Sequence, residues 1–137
     1  MEIRTFHESD TDAVVALWKD VFAASAPHND PAQVIRHKLA VGDELFFVAL
    51  LDGQLVGTVM CGYDGHRGWI YSLAVQREFR RRGVGTALIE RAELKLVRAG
   101  CPKVNLQVVA SNSAVVSLYR RLGYSVEDRI SMGKVLD

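Results

Sequence analysis

The stretch Val75-Gln76-Arg77-Glu78-Phe79-Arg80-Arg81-Arg82-Gly83-Val84-Gly85-Thr86 holds the densest chemistry in the sequence. It reads as a strand end, a glycine-rich turn and the start of a long helix. The first backbone N–H groups of such a helix lack internal partners and point outward at its positive end. Gly83 and Gly85 let a ligand approach that backbone closely, Thr86 adds a hydroxyl, and Arg80, Arg81 and Arg82 add positive charge, which together suit a phosphate or pyrophosphate. The same residues also describe an arginine-rich capped turn on a solvated helix, and the spacing alone does not choose between the two. A dinucleotide fingerprint requires a third glycine where Leu88 stands, and a nucleotide P-loop requires Gly-Lys-Ser/Thr, which is absent. Cys61 and Cys101 lie far apart and form no CxxC pair, so two reduced structural thiols are expected. The four histidines show no metal-ligand spacing.

The elements that must position this stretch follow from periodicity and turn chemistry. Met1–Phe6 reads as a short strand. Ser9 or Asp10 can cap a helix whose Val14, Leu17, Trp18 and Val21 share a face, and Asp30 with Pro31 begins a second helix that ends at Gly42. Leu45–Leu51 and Leu55–Tyr63 are apolar, β-forming runs joined by Asp52-Gly53, a hairpin signal, and a further strand runs from Trp69 to Val75. From Gly83 to Ala99 the pattern becomes helical, with Leu88, Ala92 and Leu96 recurring every fourth residue and Gly100 suited to terminate the helix. Val104, Leu106 and Val108 alternate with polar residues as a half-buried strand. Asn112 caps another helix through Leu122, and Tyr124–Val135 can supply one or two closing strands. The expectation is a single α/β domain over residues 1–137, antiparallel strands first and then strand–helix–strand–helix.

Composition agrees with that class. The chain has 137 residues, 49% of them hydrophobic and 24% charged, as in ordinary globular domains. A formal net charge of +1 argues against bulk electrostatic binding of nucleic acid. The N-terminus carries no basic segment followed by an apolar run, and no stretch reaches the length of a membrane span, so a cytoplasmic protein without nucleic-acid or membrane partners is expected.

The order Arg80-Arg81-Arg82-Gly83-Val84-Gly85 resembles the Q/R-x-x-G-x-G/A signature of the GCN5-related N-acetyltransferases. Leu73-Ala74-Val75 before it resembles that family's fourth strand. Downstream, Asn112-Ser113-Ala114-Val115-Val116-Ser117-Leu118-Tyr119-Arg120-Arg121-Leu122-Gly123-Tyr124 is similar to the family's N-x-x-A-x-x-L/F-Y-x-x-x-G-F/Y element, especially as found in ribosomal-protein N-terminal acetyltransferases. The resemblance implies a mixed, mostly antiparallel, splayed sheet flanked by helices. It implies acetyl-CoA as acyl donor, its pyrophosphate on backbone amides from about Arg81 to Thr86, with Arg80 beside them. Its pantetheine arm would lie along Leu73, Ala74 and Val75 as an added strand. A backbone N–H near Leu73 would polarise the thioester carbonyl. Asn112 would contact the arm or cap its helix, and Tyr119 would protonate the departing thiolate. No metal is implied.

Departures from the family pattern bear on the amine. Tyr71 and Ser72 stand where many relatives place an acidic residue, and Gln107 stands where N-terminal acetyltransferases place a glutamate. Arg77 replaces a common proline, and Arg81 a common glycine, which costs the turn conformational freedom. Glu44, Asp64, His66 and His28 are the remaining candidate bases, each read first as a turn, cap or solvated surface residue. Direct attack by an already neutral amine fits the missing carboxylate better. Trp18, His28, Asn29 and the Tyr63–Trp69 turn are candidates for lining the acceptor pocket, although Trp18 also suits the core. The resemblance implies an amine acceptor, either a small molecule or a protein N-terminus, and is compatible with a homodimer. A non-catalytic acyl-CoA-binding sensor is the alternative.

Overall fold

The computed structural model describes residues 1–22 and 27–136. The chain divides into two compact units, residues 1–107 and the remainder from Val108 onward. The first unit is built on a five-stranded sheet in the order β1-β2-β3-β4-β5: β1 (Glu2–Thr5), β2 (Phe46–Leu51), β3 (Gln54–Tyr63), β4 (Gly68–Val75) and β5 (Val104–Leu106). The first four pair antiparallel and β5 joins β4 in parallel. Its helices are α1 (Thr11–Val21), α2 (Pro31–Val41) and α3 (Val84–Arg98). No helix among the described residues is long and apolar enough to cross a membrane.

The pleat sends alternate residues to opposite faces. Phe46, Val48, Met60 and Ala74 pack with Val14, Leu17 and Trp18 of α1 and Ile35 of α2 in one core. The opposite parity, including Phe47, Val59 and Cys61, is equally buried and faces α3, whose Leu88, Ile89, Ala92 and Leu96 are at most 1% exposed. Each such Leu or Ile contributes on the order of 1.5–3 kcal/mol. Two glycines set how closely α3 lies on the sheet. A β-carbon at Gly57 would stand 3.0 Å from the Ala74 carbonyl and from Leu88 Cδ1, and one at Gly68 would stand 2.6 Å from Cys101 Sγ. Arg91 of α3 donates to the Ile3 carbonyl at 3.0 Å and ties the helix to β1.

Local signals act largely as expected. Asp30 Oδ2 accepts from the Gln33 N–H with Pro31 at the start of α2, and Gly42 ends that helix at φ 72°. Asp52 and Gly53 turn the β2–β3 hairpin at φ 50° and 79°. Asp10 precedes α1 but does not cap it; its carboxylate accepts from Arg4 at 2.8 and 3.0 Å and from the His7 N–H at 2.8 Å. Both cysteines are free thiols.

The second unit contains α4 (Ser113–Arg121). Here the structure corrects two expectations. Val108 lies beyond β5, which is only three residues long, and residues 124–136 form no strand. Val126, Ile130, Met132 and Val135 are 64–91% exposed, so no burial drives that segment onto a sheet. Backbone bonding there includes the local Arg129 N–H to the Glu127 carbonyl, at 2.9 Å.

Candidate active site

Strand β4 pairs with β5 only from Gly68 to Ile70. Beyond that point no described strand pairs with this side of β4, from Tyr71 to Val75. The open segment begins with an irregularity. The β3–β4 register passes from Met60↔Tyr71 to Thr58↔Ala74, so β4 spends one residue more than β3 over this interval, as in a bulge. Ser72 takes φ 50° there. Its carbonyl accepts from Thr58 Oγ1 at 3.0 Å, and that hydroxyl accepts from Trp18 Nε1 at 2.8 Å. Thr58 is fully buried and Trp18 3% exposed. The relay anchors the bulge to α1 through the core. Trp18 therefore supports the bulge from inside, as part of the core.

After β4 the chain makes a single 3-10 turn, Arg77–Phe79, and enters α3. Arg81 and Gly83 both take left-handed conformations, φ 63° and 81°, with Gly83 in the N-cap position. The first helical bond runs from the Ala87 N–H to the Gly83 carbonyl at 3.0 Å, so the Val84, Gly85 and Thr86 N–H groups precede any α-helical partner. Left-handed residues alternating with ordinary ones in front of a helix N-terminus form a concavity of N–H groups suited to anions. A β-carbon built on Gly83 meets nothing within 4 Å, so the space before it is free for a ligand. Leu73, Ala74 and Val75 on the unpaired edge are followed in the chain by the turn Arg80 to Thr86, within the first unit. Ala74 and Val84 are each 2% exposed, so their side chains belong to the core. Arg80 Nε donates to the Val75 carbonyl at 3.2 Å, and the Arg82 guanidinium lies 5.3 Å from the Phe79 ring centre. Arg77 reaches Asp20, its Nη2 donating to the carbonyl at 3.0 Å.

On the α1/α2 face an open groove of about 520 Å³ runs beside the same strand, bounded by Val34, His37 and Lys38 of α2 and by Met60, Trp69 and Tyr71 of the sheet. Lys38 Nζ donates to Asp43 Oδ2 at 2.9 Å and to the Cys61 carbonyl at 2.6 Å. Asp64 also lines the groove. Its Oδ1 accepts from the Arg67 and His66 N–H groups, both at 2.8 Å, and these bonds hold its carboxyl below the usual range. Of the residues expected to line the acceptor pocket or to act as base, Tyr63, Asp64 and Trp69 line this groove, whereas His28, Asn29, Glu44 and His66 do not. His37 does and carries no motif. The helical spacing Val34–His37/Lys38–Val41 is the signal that places it on that face.

In the second unit Asn112 Oδ1 accepts from the Val115 N–H at 3.4 Å, a helix cap. Tyr119, 6% exposed, packs edge-on against Tyr124 with ring centres 5.4 Å apart. Burial pushes its phenol up to about 12.

Residues 11–124 match the model of the acetyltransferase (GNAT) family. The chain belongs to the GNAT acetyltransferases. An acetyltransferase of Yersinia enterocolitica, YE1169, is 48% identical over 136 residues, 99% of this chain and 96% of the relative. Among solved folds, Ard1 from Thermoplasma volcanium superposes with a TM-score of 0.82 at 24% identity, covering 92% of this chain and 83% of that one. The PaiA N-acetyltransferase from Thermoplasma acidophilum, in complex with coenzyme A, superposes with a TM-score of 0.81 at 20% identity over 94% and 92% of the two chains. This GNAT chain is an acyl-CoA-dependent acetyltransferase acting on an amine, with the mixed, mostly antiparallel sheet of that fold.

Proposed function

We propose that this enzyme binds acetyl-CoA across the open edge of β4 and the N-terminus of α3, and passes the acetyl group directly to an amine in the groove on the α1/α2 face. The observation that carries the reading is the conjunction within one unit of an unpaired strand edge, Tyr71–Val75, with the left-handed turn Arg81–Gly83 that opens α3. The edge can pair with the two amides of a pantetheine arm, and the turn can receive a pyrophosphate. Acetyl-CoA supplies an acyl group activated as a thioester. Backbone N–H groups from Arg81 to Thr86 hold the phosphates, with Arg80 and Arg82 shaping the turn, and the backbone at Leu73 beside the bulge polarises the carbonyl. Asn112 contacts the arm or serves only as the cap of α4. Tyr119, neutral at every working pH, donates its proton toward the departing sulfur.

Neither cysteine suits a covalent route. Burial pushes the Cys61 thiol up to about 12, and Cys101 donates to the Lys103 carbonyl at 3.2 Å on the α3 side of the sheet, away from the groove. The groove's carboxylates are poor bases, since Asp43 is paired with Lys38 and Asp64 is held ionised. The amine therefore attacks in its neutral form. At pH 7 deprotonating a lysine near ~10.4 costs about 4.6 kcal/mol, against roughly 1 kcal/mol for an α-amine near ~7.7–8.0. An α-amine is the favoured acceptor, such as a peptide or protein N-terminus or a small molecule bearing one.

Thermal unfolding with ligands tests the cofactor site. At about a hundredfold above its dissociation constant, acetyl-CoA should stabilise the fold by about 2.7 kcal/mol, and adenosine much less. Equal shifts would sink the assignment. Coenzyme release from acetyl-CoA with a peptide's α-amine, compared with its lysine from pH 6 to 9, tests the acceptor. A strong lysine preference would reveal a base that this reading lacks.

A further inference from the structure

The hydrogen-bond parity of β4 fixes which of its backbone groups face the unpaired edge. The Gln76 N–H donates to the Val56 carbonyl at 2.8 Å, one residue outside the Gly57↔Val75 pair. That bond marks Gly57↔Val75 as a non-hydrogen-bonded pair, so the N–H and carbonyl of Val75 point away from β3. The Val75 carbonyl is therefore the last acceptor on the unpaired edge before the chain turns toward α3. It is already engaged, because Arg80 Nε donates to it at 3.2 Å.

Arg80 spends only part of its side chain on this bond. The exposed guanidinium makes no other hydrogen bond and no ion pair among the described residues, so the N–H groups of its Nη1 and Nη2 remain available as a fork. Other side chains pin the same turn. Gln76 Nε2 donates to the Leu55 carbonyl at 2.8 Å, Arg77 is held at Asp20, and Arg82 lies over the Phe79 ring. The turn keeps these anchors when Arg80 lets go. Arg80 also directly precedes the left-handed Arg81, where the concavity of N–H groups begins.

Resting on the cofactor reading above, we infer that Arg80 is an exchangeable latch that selects acyl donors carrying a diphosphate. In the free enzyme it closes the Val75 carbonyl. When a donor binds, the guanidinium passes to the phosphates, where a charge-assisted, two-pronged contact is stronger than a single bond to a neutral carbonyl. The carbonyl is then released to the nearest amide N–H of the arm. A thioester on a bare pantetheine arm must displace Arg80 with no anion to receive it. The enzyme thus discriminates between donors of identical reactive end by what stands at the other end of the arm.

The test is equilibrium binding of acetyl-CoA and of acetyl-pantetheine to the wild-type enzyme and to Arg80→Met, which keeps an apolar stem and removes the donors. The substitution should weaken acetyl-CoA by about 10–100-fold and tighten acetyl-pantetheine by about threefold to tenfold. A general loosening of the turn would not move the two donors in opposite directions. Inorganic pyrophosphate gives a second readout on the wild-type protein. By drawing Arg80 away it should tighten acetyl-pantetheine by about threefold there, and have no such effect on Arg80→Met. Weakening of both donors by the substitution, or a wild-type affinity for acetyl-pantetheine indifferent to pyrophosphate, would overturn the latch and leave the cofactor reading standing. Failure of acetyl-CoA to bind the wild type, or of pyrophosphate to compete with it, would overturn the cofactor reading and the latch with it.

Discussion

Among single residues Tyr119 carries the sharpest mechanistic expectation. Desolvation favours its neutral form, so the phenol remains a donor throughout the working range. Tyr119→Phe keeps the ring and its edge-on contact with Tyr124, so acetyl-CoA binding should persist while turnover falls by about 10²–10⁴. Single-turnover kinetics check this, and an unchanged acyl-transfer rate would remove Tyr119 from the chemistry. Gly83 is the backbone counterpart. Its left-handed φ costs any other residue roughly 1–2 kcal/mol, and its empty β-carbon position faces open space. Gly83→Val should therefore weaken acetyl-CoA by more than this strain lowers stability, which calorimetric titration beside denaturant unfolding would measure. Normal affinity would place the phosphate cradle elsewhere. Both expectations rest on local signals: a glycine before a helix and a tyrosine inside a recognisable motif. The left-handed Arg81 bears the conformational cost expected of a glycine's replacement.

At the scale of elements, the bulge of β4 rests on a hydrogen bond between two residues forty apart in sequence, Trp18 and Thr58. Thr58→Val keeps volume but leaves Trp18 Nε1 and the Ser72 carbonyl without their shared hydroxyl, a loss on the order of 1–3 kcal/mol for each buried group. It should lower kcat at temperatures well below its own unfolding midpoint, and Thr58→Ser, which restores the hydroxyl, should recover most of it. If Thr58→Val lost stability alone, with kcat intact, the relay would have no part in shaping the bulge. Nothing in the Leu55–Tyr63 pattern marks Thr58 as more than a strand residue, nor Gly57 as the place where α3 lies against the sheet. Both roles exist only once the partner element is docked. The absent closing strands teach the same lesson in reverse. Residues 124–135 contain β-forming side chains, yet a strand forms only where a neighbouring edge and an apolar surface receive it.

For the whole molecule, two buried acids make stability fall in alkali. Cys61 rises from 9.0 to about 12 and Tyr119 from 10.0 to about 12 on folding. Above pH 9 the unfolded chain therefore binds fewer protons than the folded one, so their contribution is full below that pH and is lost as pH rises toward 12. Denaturant midpoints measured from pH 8 to 11.5 should decline, and Cys61→Ala should flatten the part of the decline that begins near 9. A midpoint independent of pH over that range would show that neither group is desolvated. The sequence by itself determined the class of fold, nearly every element of the first unit, the glycine-containing turn that opens α3 and the family, because periodicity, caps and glycine positions act over a few residues. Only the tertiary structure decided that β4 loses its partner after Ile70, that Trp18 and Thr58 hold its bulge, and that His37, Tyr71 and Asp64 border one groove. Those facts arise from register and docking between distant segments, which no local pattern encodes.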